Sequence, residues 1–500
     1  MKKAGSLYLT YYVIIALVLL INLLTLMRFP IPHGDEAWMA SRAWEFLQSG
    51  TSFGPLDSGV FDRYDNYEVF NPWLSTAIQS IGVLLFGEPS LLSVRFTSML
   101  MGYVYLIAIY WIGFAIAGKQ FGLLSILFTS FSLPFFTSSH FGRSDIIPAA
   151  FGLTGIAIYL NSSTKKLLIS LAGLVIALAF EIHPNAAIFG VLVLILLIFK
   201  YRFSFILKAE FWSFIAGCGL GLFFFIGIHI LPNLNTYIRL NQIGYESTRT
   251  PPIMTGDINL TIKSIREMPR TIIGSYPQII VFLWLIIRLR KNHPRYINII
   301  LVISATFLLG YPLLIRNKFL YYSIYYLPGL SLLIAALFNE LFNSPIKFQN
   351  EMKFRKFLMV IVLFLPMIPV LRYNQVENYF RIQSQLDRII NLDDVIMGNQ
   401  LYWFGLNENK YYSWENLIFH QRDIPNSNLE DALLTFKPDI LIIDGQLRNF
   451  ISNENLDYMY FQDLQISKSE LKSLLFAYAE LEDSIEGEDG DRIYLYRFKW

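Results

Sequence analysis

The chain has 500 residues, of which 54% are hydrophobic and 16% charged, with a mean hydropathy of +0.44. Soluble proteins carry about 25% charged residues, so this is a multi-span membrane protein with a soluble remainder. A formal net charge of +2 offers no basic footprint for nucleic acid, and a single cysteine, Cys218, excludes an intrachain disulfide and a cysteine metal cage.

The first apolar run, Leu7 to Met27, follows Met1-Lys2-Lys3. It is long for a signal-peptide core and no small-residue cleavage site follows it, so it is expected to stay as a first membrane helix. Directly after it comes His33-Gly34-Asp35-Glu36, with Ala37, Ala40, Trp44 and Leu47 at helical spacing behind. An adjacent pair of acids at the mouth of a membrane helix needs a polar partner. A charged helix N-cap is the plain alternative. The loop 50–71 is rich in Asp, Glu, Tyr and Gly, and the short apolar run 72–86 after Asn71-Pro72 is expected to be interfacial or re-entrant.

Runs of membrane length, at about 20 residues each, are expected near 7–27, 92–115, 121–138, 146–160, 167–181, 185–199, 211–231, 272–288, 296–315, 320–338 and 356–371. Eleven spans with an inner N-terminus put Lys119, Lys165-Lys166, Lys200 to Lys208, Arg288 to Arg295 and Lys347 to Lys356 on one side, as the positive-inside rule asks. The loops holding Asp35, Glu36, Arg143, Asp145, Glu181, His183, Arg316 and Lys318 then converge on the other, outer side. The long outer segment 232–271 has Pro251-Pro252 and Gly256-Asp257 turn signals and is a candidate lid. The domains expected are a transmembrane domain, 1–371, with its first outer loop at 28–91, and a soluble α/β domain, 372–500. In that tail 394–397, 439–443 and 492–496 read as strands, and 429–436 and 467–481 as helices.

Four constellations could carry chemistry. Asp35 and Glu36 form the first. Arg143-Ser144-Asp145 is the second; it is either a local ion pair or a carboxylate that joins Asp35 at one outward cleft, where two acids could hold a divalent cation or divide base and binding roles. Arg316 and Lys318, followed by Tyr321, Tyr322, Tyr325 and Tyr326, form the third. Two cations on the side that the positive-inside rule disfavours suit a phosphate at the membrane surface, gripped bidentately by Arg and by Lys as a point charge. The tyrosines either line a groove for lipid or sugar or form an aromatic belt. His183, after Glu181, is the fourth and is more often structural.

The ordered set resembles the GT-C superfamily. It comprises the acids after span one, Asn71-Pro72-Trp73, Phe86-Gly87, Val94-Arg95-Phe96, Gly118-Lys119-Gln120-Phe121-Gly122, Phe141-Gly142-Arg143-Ser144-Asp145, Leu178-Ala179-Phe180 and Lys318-Phe319-Leu320-Tyr321-Tyr322. Over roughly 7–340 it looks like the protein O-mannosyltransferase and aminoarabinose (lipid A) transferase-like enzymes. The resemblance implies an α-helical polytopic membrane glycosyltransferase of about eleven transmembrane helices, with interfacial helices in the first outer loop. It implies transfer of a hexosyl or pentosyl group, usually with inversion, from a polyprenyl-phosphate carrier to a protein, lipid or glycan acceptor at the outer face of the cell membrane. Asp35 matches the family's first-loop acid and Glu36 its neighbour; Asp145 matches the acid after the third span, and Lys318 a basic residue that faces the donor phosphate. Arg143-Ser144-Asp145 stands where many relatives show Arg-Pro-Asp, and His183 where many show a lysine. The roles expected are Asp35, Glu36 and Asp145 as catalytic, Arg316, Lys318 and Arg143 on the phosphate, and His183, Tyr321 and Tyr322 in the substrate groove. A divalent metal held by Asp35 and Asp145 is allowed, not required. The alternatives are a transporter and a flippase, polymerase or ligase of the same lipid carriers. A transporter calls for midplane charges and repeats, and neither is found.

Overall fold

The computed structural model describes residues 2–59, 73–238, 252, 258–275, 279, 296–315, 318–343, 351–372, 374–452, 467–487 and 492–500. The expected lid lies partly, the span 272–288 mostly, and Arg316 wholly outside them. The chain divides into a helical unit, 1–29, 98–232 and 250–373, and a mixed unit, 30–97, 233–249 and 374–500.

The helical unit contains α1 (Lys2–Thr25) and the later part of a long helical run, numbered below as α4 (Leu91–Ser130). That run breaks at Ala117 (φ −145°) and Gly118 (φ +83°), between the two expected spans 92–115 and 121–138. Only glycine enters that left-handed region without strain. Next come α5 (Leu133–Ser139), α6 (Ile146–Asn161), α7 (Lys166–Ile182), α8 (Ala187–Tyr201), α9 (Ala209–Phe223), α10 (Ile258–Ser275), α11 (Tyr296–Leu314), α12 (Leu327–Asn343) and α13 (Glu351–Phe364). Among the described residues five helices are long and apolar enough to cross a membrane, and Tyr11–Thr25, Trp73–Phe86, Ile146–Asn161 and Leu327–Asn343 are shorter apolar helices. Residues 320–325, expected inside a span, form a 3-10 turn, because Pro328 sets the helix start near Leu327.

Small residues let these helices close on one another. A Cβ on Gly217 of α9 would meet the Ser170 carbonyl of α7 at 1.8 Å, and one on Gly173 the Phe214 carbonyl at 2.3 Å. Buried Ser125, Thr129, Ser130 and Ser132 lie inside while Leu167, Phe203, Leu207 and Phe223 are exposed. Small polar residues within an apolar interior, and an apolar rim outside it, are the pattern of a bundle solvated by lipid. The protein is a multi-pass membrane protein.

The mixed unit holds α2 (Gly34–Ser49), α3 (Trp73–Phe86), the first residues of α4, α14 (Glu377–Ile389), α15 (Asn416–Asp423), α16 (Leu429–Phe436), α17 (Gly445–Ser452) and α18 (Lys468–Tyr478). Its sheet has the order β2 (Tyr411–Ser413), β1 (Ile396–Gly398), β3 (Ile440–Ile443), β5 (Arg492–Phe498), β4 (Ala479–Glu486). β2, β1 and β3 run parallel and β5 and β4 antiparallel. The helix expected to reach residue 481 ends at Tyr478, and β4 takes the chain from Ala479. In β3, Leu441 and Ile443 point into one core with Leu433, Phe436 and Leu471, while Ile440 and Ile442 point into another with Ala37, Ala40, Leu386 and Trp403. Alternation along a strand produces two faces. The second face is covered in part by α2, from the first loop.

Candidate functional site

In the mixed unit the acids open α2. His33 is the N-cap: its Nδ1 accepts the Asp35 N–H at 3.2 Å, and Glu36 Oε2 accepts the His33 N–H at 3.0 Å. This reciprocal cap satisfies two donors that the helix itself leaves open. Glu36 does more than cap. Arg95 donates from Nε to Oε1 at 2.8 Å and from Nη2 to Oε2 at 3.0 Å, and both side chains are fully buried. The same guanidinium reaches the Pro30 carbonyl at 3.0 Å. A second buried pair ties the far half of the loop: Arg42 grips Asp57 at 2.6 Å, and Trp38 Nε1 donates to Asp57 at 2.7 Å.

Asp35 differs from both. Its side chain is 28% exposed and lies 3.4 Å from His33 Nδ1. Beneath it Gly34 rests on the later, sheet-bearing part of the same unit, where a Cβ would sit 3.0 Å from Gln400 Oε1. Gln400 Nε2 donates to Ser413 at 2.8 Å. Glu415, buried at the end of that chain, has its carboxyl pushed up to about 7 by burial, against Gln400 and the nearby His33. The Asp35 backbone is thus held by a cap on one side and by the sheet of its own unit on the other.

In the helical unit the expected residues assemble around Tyr321. Arg143 Nε donates to Asp145 Oδ2 at 2.9 Å, and its guanidinium lies 4.3 Å from the centroid of Tyr321. Phe141 stacks on Tyr321 with centroids 5.4 Å apart, and Tyr322 meets Tyr321 edge-on at 4.8 Å. Burial opposes the Arg143 charge, but Asp145 beside it overcomes that and holds the guanidinium above its usual range. Asp145 is 2% exposed, and among the described residues no donor reaches its Oδ1. Tyr325, fully buried, lies in the field of Asp145 and Arg143, and its hydroxyl likewise has no partner among the described residues. Buried polar atoms left this way cost about 1–3 kcal/mol each, which makes them candidates for ligand contact.

Lys318 lies 4.9 Å from the Tyr311 centroid and donates to the Ile315 carbonyl. Burial lowers its ammonium to about 8, with Glu267 opposing. His183 accepts the Asn185 N–H at 3.1 Å as a local cap, and its ring is 6.0 Å from Tyr322. Glu181, 3% exposed, has Oε1 without a partner among the described residues. Reading the sequence alone did not find Arg95 or Tyr311 as site neighbours; Arg95, an arginine amid Leu-Leu-Ser-Val and Phe-Thr, was the one available signal. Among the described residues no three His, Cys, Asp or Glu side chains converge on a metal position.

In fold the chain is similar to membrane glycosyltransferases of the GT-C superfamily, and the resemblance in the sequence is borne out at that level. Residues 71–229 match the model of the dolichyl-phosphate-mannose-protein mannosyltransferase family. The fold is similar to ArnT from Cupriavidus metallidurans bound to undecaprenyl phosphate, with a TM-score of 0.59 at 11% identity over 99% of this chain and 98% of that one. For the same protein in the apo state the TM-score is 0.60 at 12% identity, with the same coverage. The Archaeoglobus fulgidus oligosaccharyltransferase tethered with an acceptor peptide gives 0.52 at 10% identity, over 98% of this chain and 74% of that one. No curated protein sequence matches the chain.

Proposed function

We propose that the protein transfers a hexosyl or pentosyl group, with inversion, from a polyprenyl-phosphate carrier to an acceptor at the outer face of the cell membrane. The carrying observation is the Arg143–Asp145–Tyr321 cluster, with its buried unpartnered Asp145 oxygen, in a fold shared with an enzyme crystallised on undecaprenyl phosphate.

Asp35 takes the proton of the acceptor nucleophile as that atom attacks the anomeric carbon. The bond from that carbon to the carrier phosphate breaks, and its electron pair leaves with the phosphate. Negative charge grows on the phosphate oxygens, so cations rather than an acid serve this side. Lys318, Arg143 and Arg316 supply them. Asp145 keeps Arg143 in place and offers its spare oxygen to a sugar or acceptor hydroxyl. Glu36, with both oxygens held by Arg95 and the cap, supports Asp35 by fixing the helix start. Tyr321, Tyr322 and His183 line the groove. Eleven spans with an inner N-terminus put the domain 372–500 outside.

The test is mass spectrometry of lipids that co-purify with the detergent-extracted protein, wild type beside Lys318→Ala. A polyprenyl-phosphate sugar with wild type, depleted in the variant, is the expected result. No such lipid in either would overturn the reading.

A further inference from the structure

Helix α10, Ile258–Ser275, has three faces. At about 3.6 residues per turn, buried Ser264, Met268 and Ser275 form the stripe that packs inward. Ser264 Oγ donates to the Pro312 carbonyl at 2.6 Å, and Ser275 shares a hydrogen bond with the Tyr326 hydroxyl. These bonds lay the helix across the end of α11 and against the tyrosine turn. Next to the buried stripe Ile258, Ile262, Ile265 and Ile273 are exposed. Next to those, on the third face, stand Lys263, Arg266 and Arg270, all exposed.

An open hollow of about 510 Å³ runs along that third face, lined by Asn259, Ile262, Lys263, Arg266, Glu267 and Arg270. No ion pair among the described residues uses the three cations. Glu267, at the inner edge of the face, lies within electrostatic reach of Lys318. The row of cations therefore leads to the ammonium assigned above to the donor phosphate.

We infer that Lys263, Arg266 and Arg270 form a second phosphate site, which receives the phosphate of a membrane-embedded polyprenyl carrier next to Lys318. This rests on the proposed function. The exposed isoleucines beside the cations suit the boundary between acyl chains and headgroups, so the ligand joins a phosphate to an apolar chain. Free phosphate uses only half of the helix. A phospholipid headgroup shares the chemistry, but it has no reason to favour a face that ends at Lys318.

The full-length protein in phosphatidylcholine nanodiscs, titrated with undecaprenyl phosphate, tests this. Wild type should bind, and Lys263→Gln/Arg266→Gln/Arg270→Gln should bind at least tenfold more weakly at an unchanged melting temperature. Glu267→Gln should bind about twofold more tightly. Inorganic phosphate should not compete, and phosphatidylglycerol should compete only in large excess. Equal binding by the triple variant overturns the second site and leaves the proposed function intact. Competition by phosphatidylglycerol at equal concentration also overturns it, making the face a general anionic-lipid surface. No binding by wild type overturns the proposed function, and this site with it.

Discussion

In the mixed unit Glu36 and Asp57 are fully buried and both oxygens of each are taken, by Arg95 and the cap in one case and by Arg42, Trp38 and the Gly54 N–H in the other. In the helical unit Asp145 is nearly as deep, yet one oxygen is held and the other has no donor among the described residues. The first arrangement is complete without a ligand and serves to fix the backbone around Asp35. The second leaves buried hydrogen-bonding capacity unused next to cations and tyrosines, the condition for binding something polar. Buried arginine–carboxylate pairs of the same chemistry thus have different consequences when cut.

Cutting Arg143 should show the largest effect on activity. Arg143→Gln is expected to lower sugar transfer by about 10²-fold or more, the scale of losing one donor to a developing oxyanion, with a modest fall in melting temperature. Equal losses of stability for this variant and for Arg95→Met would erase the contrast. Arg95→Met should act through the fold: it strands a buried carboxylate and costs about 3–5 kcal/mol, read as a fall in melting temperature.

Lys318 sharpens the comparison through pH. Its ammonium is lowered to about 8 by burial, so it is charged below that value and loses charge as pH rises through it. Donor affinity should weaken between about pH 7.5 and 9, and Lys318→Arg should flatten that decline, because guanidinium stays charged. A profile unchanged by the arginine would remove Lys318 from the phosphate.

Glu415 supplies the smaller, stability-linked test. Burial raises its folded pKa to about 7, above the 4.5 of an exposed glutamate. Its contribution is fully present below pH 4.5 and is lost as pH rises toward 7. Thermal melts should show stability falling over that window, and Glu415→Gln should remove part of the slope. Gly34→Ala should cost only about 1 kcal/mol, because the atom its Cβ meets is the movable end of Gln400.

Much of the helical unit was legible because a membrane span must be a continuous apolar run, and the break at Gly118 fell between two such runs. The Arg143–Asp145 pair was legible as neighbours in the chain. The Arg95–Glu36 pair was not, since its partners are 59 residues apart and nothing local marks one for the other. β2 has three residues, too few for a period to register. β4, Ala-Glu-Leu-Glu-Asp-Ser-Ile-Glu, has helix-compatible acids, and it is a strand because β5 pairs with it, a tertiary choice over local preference. The covering of the tail sheet by α2 had one available signal: β3 is apolar at every position, which asks for a cover on both faces.

The most direct test of the central claim is turnover by the reconstituted full-length protein of a polyprenyl-phosphate sugar, wild type beside Asp35→Asn. The account predicts that wild type releases polyprenyl phosphate and moves the sugar to an acceptor, while Asp35→Asn binds the donor, keeps its melting temperature and transfers at least about 10²-fold more slowly. Transfer by Asp35→Asn at the wild-type rate, or an intact donor after incubation with wild type and its acceptor-containing membranes, would contradict it.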